Sequence, residues 1–394
     1  MNNQQLLEPV KINPAILVWA RTRLDLSIDD AAALLGHPPE QVSSWEEATA
    51  EPTYKQAMML ARKLQFPFGY LFLSKEPEST LPLPDLRTVA GAERGIPTPN
   101  LLAVLEDAIR KQHWYTEMLR EEGVRPLPFV GRFAQRQSVE VIAADIRQQL
   151  QVNEQTRSEC PNTASFLSQL VRNAEMLGIL VLRSGTACGN THRPLSVDEF
   201  RGFAITDSLA PIVFINTRDA NVAQLFTFAH EIAHIWIGAE GVSNPDFRKK
   251  SREQINVVEA LCNQIAAEVL VPTHNFSREW NVDEPLDRNI ENIRLRYRVS
   301  RFVVLRKAFD KDFITTKEYY AKLKQFYDFE LAKKAQKDEE DSGGHYYHTL
   351  YARNSIKFTS AVTEAFSGGR LLVTEACSLL GIKTGVLKTI VAAV

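Results

Sequence analysis

The chain has 394 residues, 44% hydrophobic and 24% charged, which suits two or three globular modules better than one core. Its formal net charge of -2 excludes nucleic-acid binding through bulk charge, so any such binding needs a local patch. Cys160, Cys188, Cys262 and Cys377 form no CxxC pair and no disulfide framework, which points to a reduced, cytoplasmic compartment. The polar start Met1 to Lys11 lacks the apolar stretch of a secretory signal, and no apolar run reaches membrane-spanning length, so no membrane partner is expected.

Residues 1–74 predict a helical cluster. Pro14 suits the first turn of a helix over 14–23. Ser27 with Asp30 is a capping-box start, followed at helical spacing by Ile28, Ala31, Leu34 and Leu35. Gly36-His37-Pro38-Pro39 is a turn, a short helix runs to Trp45, and Thr53 with Gln56 repeats the capping box ahead of a helix to Leu64. Short helices around a tight turn make a helix-turn-helix. The residues Leu26-Ser27-Ile28-Asp29-Asp30-Ala31-Ala32, Val42-Ser43-Ser44-Trp45-Glu46 and Pro52-Thr53-Tyr54-Lys55-Gln56-Ala57 resemble the Cro/repressor-like (XRE) family. That resemblance implies a recognition helix at 40–47, with Gln41, Ser43 and Ser44 as candidate DNA contacts, and DNA as a partner of residues 14–73. Glu40 to Glu51 contains four glutamates and neither Lys nor Arg, however, and phosphate contacts need cations. The other reading of the scaffold is an interaction or dimerisation module, which makes a homodimer a partner to test.

Residues 75–99, with five prolines, read as a linker, and 100–330 as the second module. Helices are expected from Asn100 to Glu122, Val139 to Leu150 and Ala164 to Leu177. Short strands follow at 178–182, 200–206 and 211–216; the last is a candidate edge for an extended peptide. The charged segment 331–344 predicts a flexible linker, and 345–394 a helical C-terminal tail with helices at 356–366, 374–380 and 383–394. That tail carries Arg353, Lys357, Arg370, Lys383 and Lys388 against Glu364 and Glu375. The histidines His345 and His348 fall in a predicted loop, and no repeat of solenoid period is present.

The chemistry concentrates in Phe226-Thr227-Phe228-Ala229-His230-Glu231-Ile232-Ala233-His234. Histidines four apart lie one turn apart on one helix face and can grip one ion. Glu231, rotated by about 100° from His230, is poorly placed as a ligand but can reach a water and serve as general base. This is the H-E-x-x-H zinc arrangement, and Zn2+ is the expected cofactor. The surrounding residues are apolar, and burying two imidazoles and a carboxylate without partners is costly. The bland alternative is two core histidines bonded to backbone carbonyls.

Catalytic zinc takes a third protein ligand. Asp246, Glu253, Glu259, Glu268 and His274 are candidates. On a helix over 251–270, Glu259 falls within the apolar stripe of Ile255, Cys262, Ala266 and Leu270, whereas Glu253, Gln264 and Glu268 fall on a polar face. A carboxylate in a core-facing stripe needs a cation, which selects Glu259; a bond to backbone or arginine is the alternative. Asn263, one turn on, is placed to support a ligand from behind.

The block 226–234, together with Glu259-Ala260-Leu261-Cys262-Asn263-Gln264-Ile265-Ala266-Ala267-Glu268-Val269-Leu270-Val271-Pro272, resembles the ImmA/IrrE (DUF955) metallopeptidases. Gly202-Phe203 and 212–216 fit the strands that precede the site in that family, and Leu83-Pro84-Asp85-Leu86-Arg87-Thr88 fits its long members, which carry an XRE domain in front. The resemblance implies a mainly α protein. An all-α helix-turn-helix domain would precede a small α+β, zincin-like domain of gluzincin type, with Glu259 as third ligand. It implies a site-specific zinc endopeptidase acting on a repressor, regulator or partner protein. The alternative is a non-proteolytic antitoxin or transcriptional regulator that binds a toxin or DNA, its zinc structural.

Overall fold

The structure, a computed structural model, describes residues 8–24, 26–64, 66–77, 83, 97–134, 137–243, 257–336 and 346–393. It divides into two compact units: Met1–Pro82 with Glu93–Glu106, and Leu83–Ala92 with Asp107–Val394. Of the linker expected at 75–99, residues 78–82 and 84–96 lie outside the described residues. Among those described, no helix is long and apolar enough to cross a membrane.

The first unit holds α1 (Pro14–Thr22), α2 (Ile28–Leu35), α3 (Pro39–Glu46) and α4 (Tyr54–Lys63). Both expected capping boxes form. Ser27 Oγ accepts from Asp30 N at 3.1 Å, and Thr53 N donates to Gln56 Oε1 at 2.8 Å. Gly36, at φ +75°, ends α2 in the left-handed conformation that a residue without Cβ adopts cheaply. Ile16, Leu17, Val42, Trp45 and Leu60 close the core.

The second unit is built around one long apolar helix. α5 (Pro99–Glu121), of which the part from Asp107 belongs to this unit, leads to α6 (Val139–Leu150), α7 (Glu154–Ser158) and α8 (Thr163–Leu177). Then come β1 (Leu180–Ser184), β2 (Gly202–Ile205), β3 (Ile212–Asn216), α9 (Asn221–Ile237) and β4 (Gly241–Ser243). The sheet order is β1-β3-β2-β4, with β1 parallel to β3 and the other pairs antiparallel. Segment 211–216, expected as an edge, therefore lies between β1 and β2, and among the described residues the edges are β1 and β4. β2 and β3 are buried at every position, because α9 covers one face and the Phe200, Phe203 and Phe214 rings pack together on the strands. The expected alternation in 200–206 does not appear for that reason.

α10 (Val257–Leu270), α11 (Thr273–Glu279), α12 (Leu286–Tyr297), α13 (Arg301–Asp310) and α14 (Thr316–Gln336) complete this layer. Glu268, assigned above to a polar face of α10, is buried. It accepts from Lys307 Nζ at 2.6 Å and from Thr273 at 2.5 and 2.8 Å, a compensated cluster that sequence spacing cannot foresee. α14 continues to Gln336, into the segment expected as a linker from 331, since its Lys, Ala and Gln residues are good helix formers; residues 337–345 lie outside the description.

The C-terminal helices are α15 (Tyr346–Asn354), α16 (Ile356–Ser367), α17 (Val373–Leu380) and α18 (Thr384–Ala393). α15 replaces the loop expected around His348, whose side chain is nevertheless exposed. These helices pack into the second unit. α15 lies against β1, Phe358 meets the Trp114 and Tyr115 rings at 5.6 and 6.1 Å, and Glu175 accepts the Ile356 N–H at 3.1 Å.

Candidate metal centre

α9 is apolar nearly all round, so packing between the sheet, α8 and α10 buries His230, Glu231 and His234 completely. α10 crosses it and brings in Glu259, which is 6% exposed. The His230 and His234 Nε2 atoms lie 3.1 Å apart, His234 Nε2 is 3.1 Å from Glu259 Oε1, and His230 Nε2 is 3.3 Å from Glu259 Oε2. Ligand atoms on a tetrahedron with metal–ligand distances of about 2.05 Å stand about 3.3 Å apart. The three groups therefore fit one Zn2+-sized ion, and they are the single His/Cys/Asp/Glu cluster among the described residues that can hold a metal.

The other ring nitrogens support this assignment. His230 Nδ1 lies 3.1 Å from Asn263 Oδ1, and His234 Nδ1 lies 2.9 Å from the Ala239 carbonyl. Both partners are acceptors, so each ring carries its proton on Nδ1 and turns an Nε2 lone pair inward. Two lone pairs facing each other at 3.1 Å repel unless a cation sits between them. Burial lowers the pKa of His234, which favours that neutral form. Cys262, on α10, is pushed well above its ordinary value by burial and then by the Glu259 and Glu231 charges, so it stays a thiol.

Two glycines shape the site. A Cβ on Gly202 would stand 2.7 Å from Thr227 Cγ2, 2.8 Å from Glu231 Oε1 and 2.8 Å from the Phe214 carbonyl, so the bare strand makes room for the Glu231 carboxylate. Gly238, at φ +71°, ends α9 and lets Ala239 turn back under His234, donating to the His234 carbonyl at 3.0 Å. A strap from Leu127 to Ala134 caps the same helix end, Gly131 N donating to Ile235 O at 2.9 Å and Phe133 N to Trp236 O at 3.0 Å. The Ala239 carbonyl and this strap carry no side-chain signature, and sequence reasoning missed both; the glycine after the apolar helix was the available clue.

Of the other ligand candidates, His274 is exposed on α11, Glu268 is bound to Lys307, and Asp246 and Glu253 lie outside the described residues. In the first unit Gln41, Ser43 and Ser44 lie half-buried on α3. Gln41 Oε1 is 3.0 Å from His37 Nδ1, and Ser44 Oγ donates to the Gln41 carbonyl at 2.7 Å. Glu46 accepts two bonds from Arg21, at 2.7 and 2.9 Å, so its charge is compensated, while Glu40 and Glu47 stay exposed.

Residues 174–309, which include all of the second-unit site, match the family model of the IrrE N-terminal-like domain, peptidase M78. Residues 17–71 match the helix-turn-helix family model. No curated protein matches the chain. A helix-turn-helix domain thus precedes a domain similar to a metallopeptidase family.

Proposed function

We propose that the IrrE-like domain is a zinc-dependent endopeptidase of regulatory type, with His230, His234 and Glu259 as ligands and Glu231 as general base, cutting a specific repressor, regulator or partner protein in the cytoplasm. The observation that carries this reading is the set of three buried ligand atoms spaced at 3.1–3.3 Å, with the far nitrogen of each imidazole tied to an acceptor. Bound zinc would lower the pKa of a water and polarise a carbonyl. His230, His234 and Glu259 hold their positions by packing between α9 and α10, so little reorganisation is needed on loading. Glu231, seated against Gly202, takes a proton from the attacking water and delivers it to the leaving amine. The β4 strand, paired to β2 beside Gly202 and at the sheet edge among the described residues, is the candidate for pairing with an extended peptide, in place of the interior strand 212–216. Four free cysteines suit a reducing compartment.

The test is metal analysis of the purified chain, together with co-expression with the product of the adjacent gene. A zinc-dependent fragment that disappears with Glu231→Gln supports the reading. A stable complex without any fragment favours the antitoxin or regulator instead.

A further inference from the structure

The C-terminal helices repeat the geometry of the first helix-turn-helix. α2 and α17 begin and end at residue numbers that differ by 345 throughout, Ile28/Val373 and Leu35/Leu380. α3 and α18 begin at the same offset, Pro39/Thr384, and α1 and α16 end at it, Thr22/Ser367. Gly36 and Gly381 occupy the turn at φ +75° and +61°. Gly36 and His37 both donate to the Ala32 carbonyl; at the offset positions Gly381 and Ile382 both donate to the Cys377 carbonyl.

The packing corresponds as well. Ala31/Ala376, Leu35/Leu380, Val42/Leu387 and Trp45/Ile390 are each 4% exposed or less. Leu17/Val362 and Ala20/Ala365, from the preceding helices, are buried at matching positions. Three helices, one left-handed glycine and one set of inward positions therefore recur with no insertion between them.

We infer that residues 356–393 are a second helix-turn-helix, that α18 is its groove-reading helix, and that its ligand is duplex DNA. The outward chemistry favours DNA here over α3. Where α3 presents Glu40, Ser43 and Glu47, α18 and its flank present Gly385, Lys388 and Ala392, with Lys383 just ahead of the helix. Lys383, Thr384, Gly385, Lys388 and Thr389 are all exposed, and neither lysine has an ion-pair partner among the described residues. Arg353 adds a third cation at the turn, donating to the Leu380 and Gly381 carbonyls at 3.1 and 3.2 Å. Small side chains let such a helix approach base edges while the lysines reach phosphates.

The test titrates the full chain into a fluorescent mixed-sequence duplex of about 30 base pairs at about 50 mM salt. Binding is expected, with affinity falling at least roughly tenfold and the log–log salt slope flattening by about 2 units in the double variant K383E/K388E. Glu231→Gln should bind DNA as the parent does, which separates this inference from the peptidase reading. Thermal melting confirms that the exposed substitutions leave the fold intact. Absence of binding at low salt by a folded chain overturns the inference, as does unchanged affinity in K383E/K388E.

Discussion

Replacing Asn263 by alanine tests the metal centre without knowledge of a substrate. Asn263 Oδ1 is the acceptor that keeps the His230 proton on Nδ1, at 3.1 Å. Its removal lets the proton move to Nε2, where it blocks the lone pair aimed at His234 and Glu259. The equivalent support of His234 is the Ala239 backbone carbonyl at 2.9 Å, which the substitution leaves in place. One of two ring supports is lost and all three candidate ligands remain. Loss of such a support costs about 10–100-fold in metal affinity, or about 1.4–2.8 kcal/mol. Zinc affinity is read by competition with a chromophoric chelator at neutral pH, beside melting of the zinc-free chain. Asn263→Asp keeps an acceptor and should bind zinc at least as tightly as the parent. His230→Ala, which removes a ligand, should lose far more than Asn263→Ala. An Asn263→Ala affinity equal to the parent's would refute the argument that this bond selects the tautomer.

Three further outcomes follow from the same geometry. Glu231→Gln should keep stoichiometric zinc and lose cleavage; full cleavage would remove Glu231 as the base. Gly202→Ala should retain metal, since the strand touches Glu231 rather than the candidate ligands, yet lower cleavage about 100-fold by displacing that carboxylate; parental activity with an unshifted Tm would show that the close approach does not matter. Breaking the buried Glu268–Lys307 pair with Glu268→Gln should cost about 3–5 kcal/mol in urea unfolding at neutral pH. Burial opposes the Glu268 charge, but Lys307 and Thr273 outweigh it and hold its pKa below the ordinary value. A depressed folded pKa adds stability that is present above the unfolded value and lost as pH falls through the folded one, so the gap between parent and variant should narrow on acidification below about pH 4.5. A gap independent of pH would contradict that linkage.

Local signals were legible in the chain itself. Ser27 with Asp30 and Thr53 with Gln56 set helix starts through contacts three residues apart, and His230 with His234 share a face because helical pitch requires it. The apolar stripe on one helix placed Glu259 on the core side, and the structure brings that carboxylate to the two imidazoles. What spacing along the chain could not decide is which elements meet. The interior position of strand 212–216 depends on pairing with β1 and β2, the burial of Glu268 on a lysine 39 residues away, and the room for Glu231 on a glycine from another strand. The correspondence of 356–393 with the first helix-turn-helix emerged only once both turns were seen to pass through the same left-handed glycine, since the shared side chains are few and their outward residues differ in charge. Periodicity acts over one or two helical turns, whereas register, burial and partner choice are set by contacts between segments far apart in sequence, and those exist only in the packed chain.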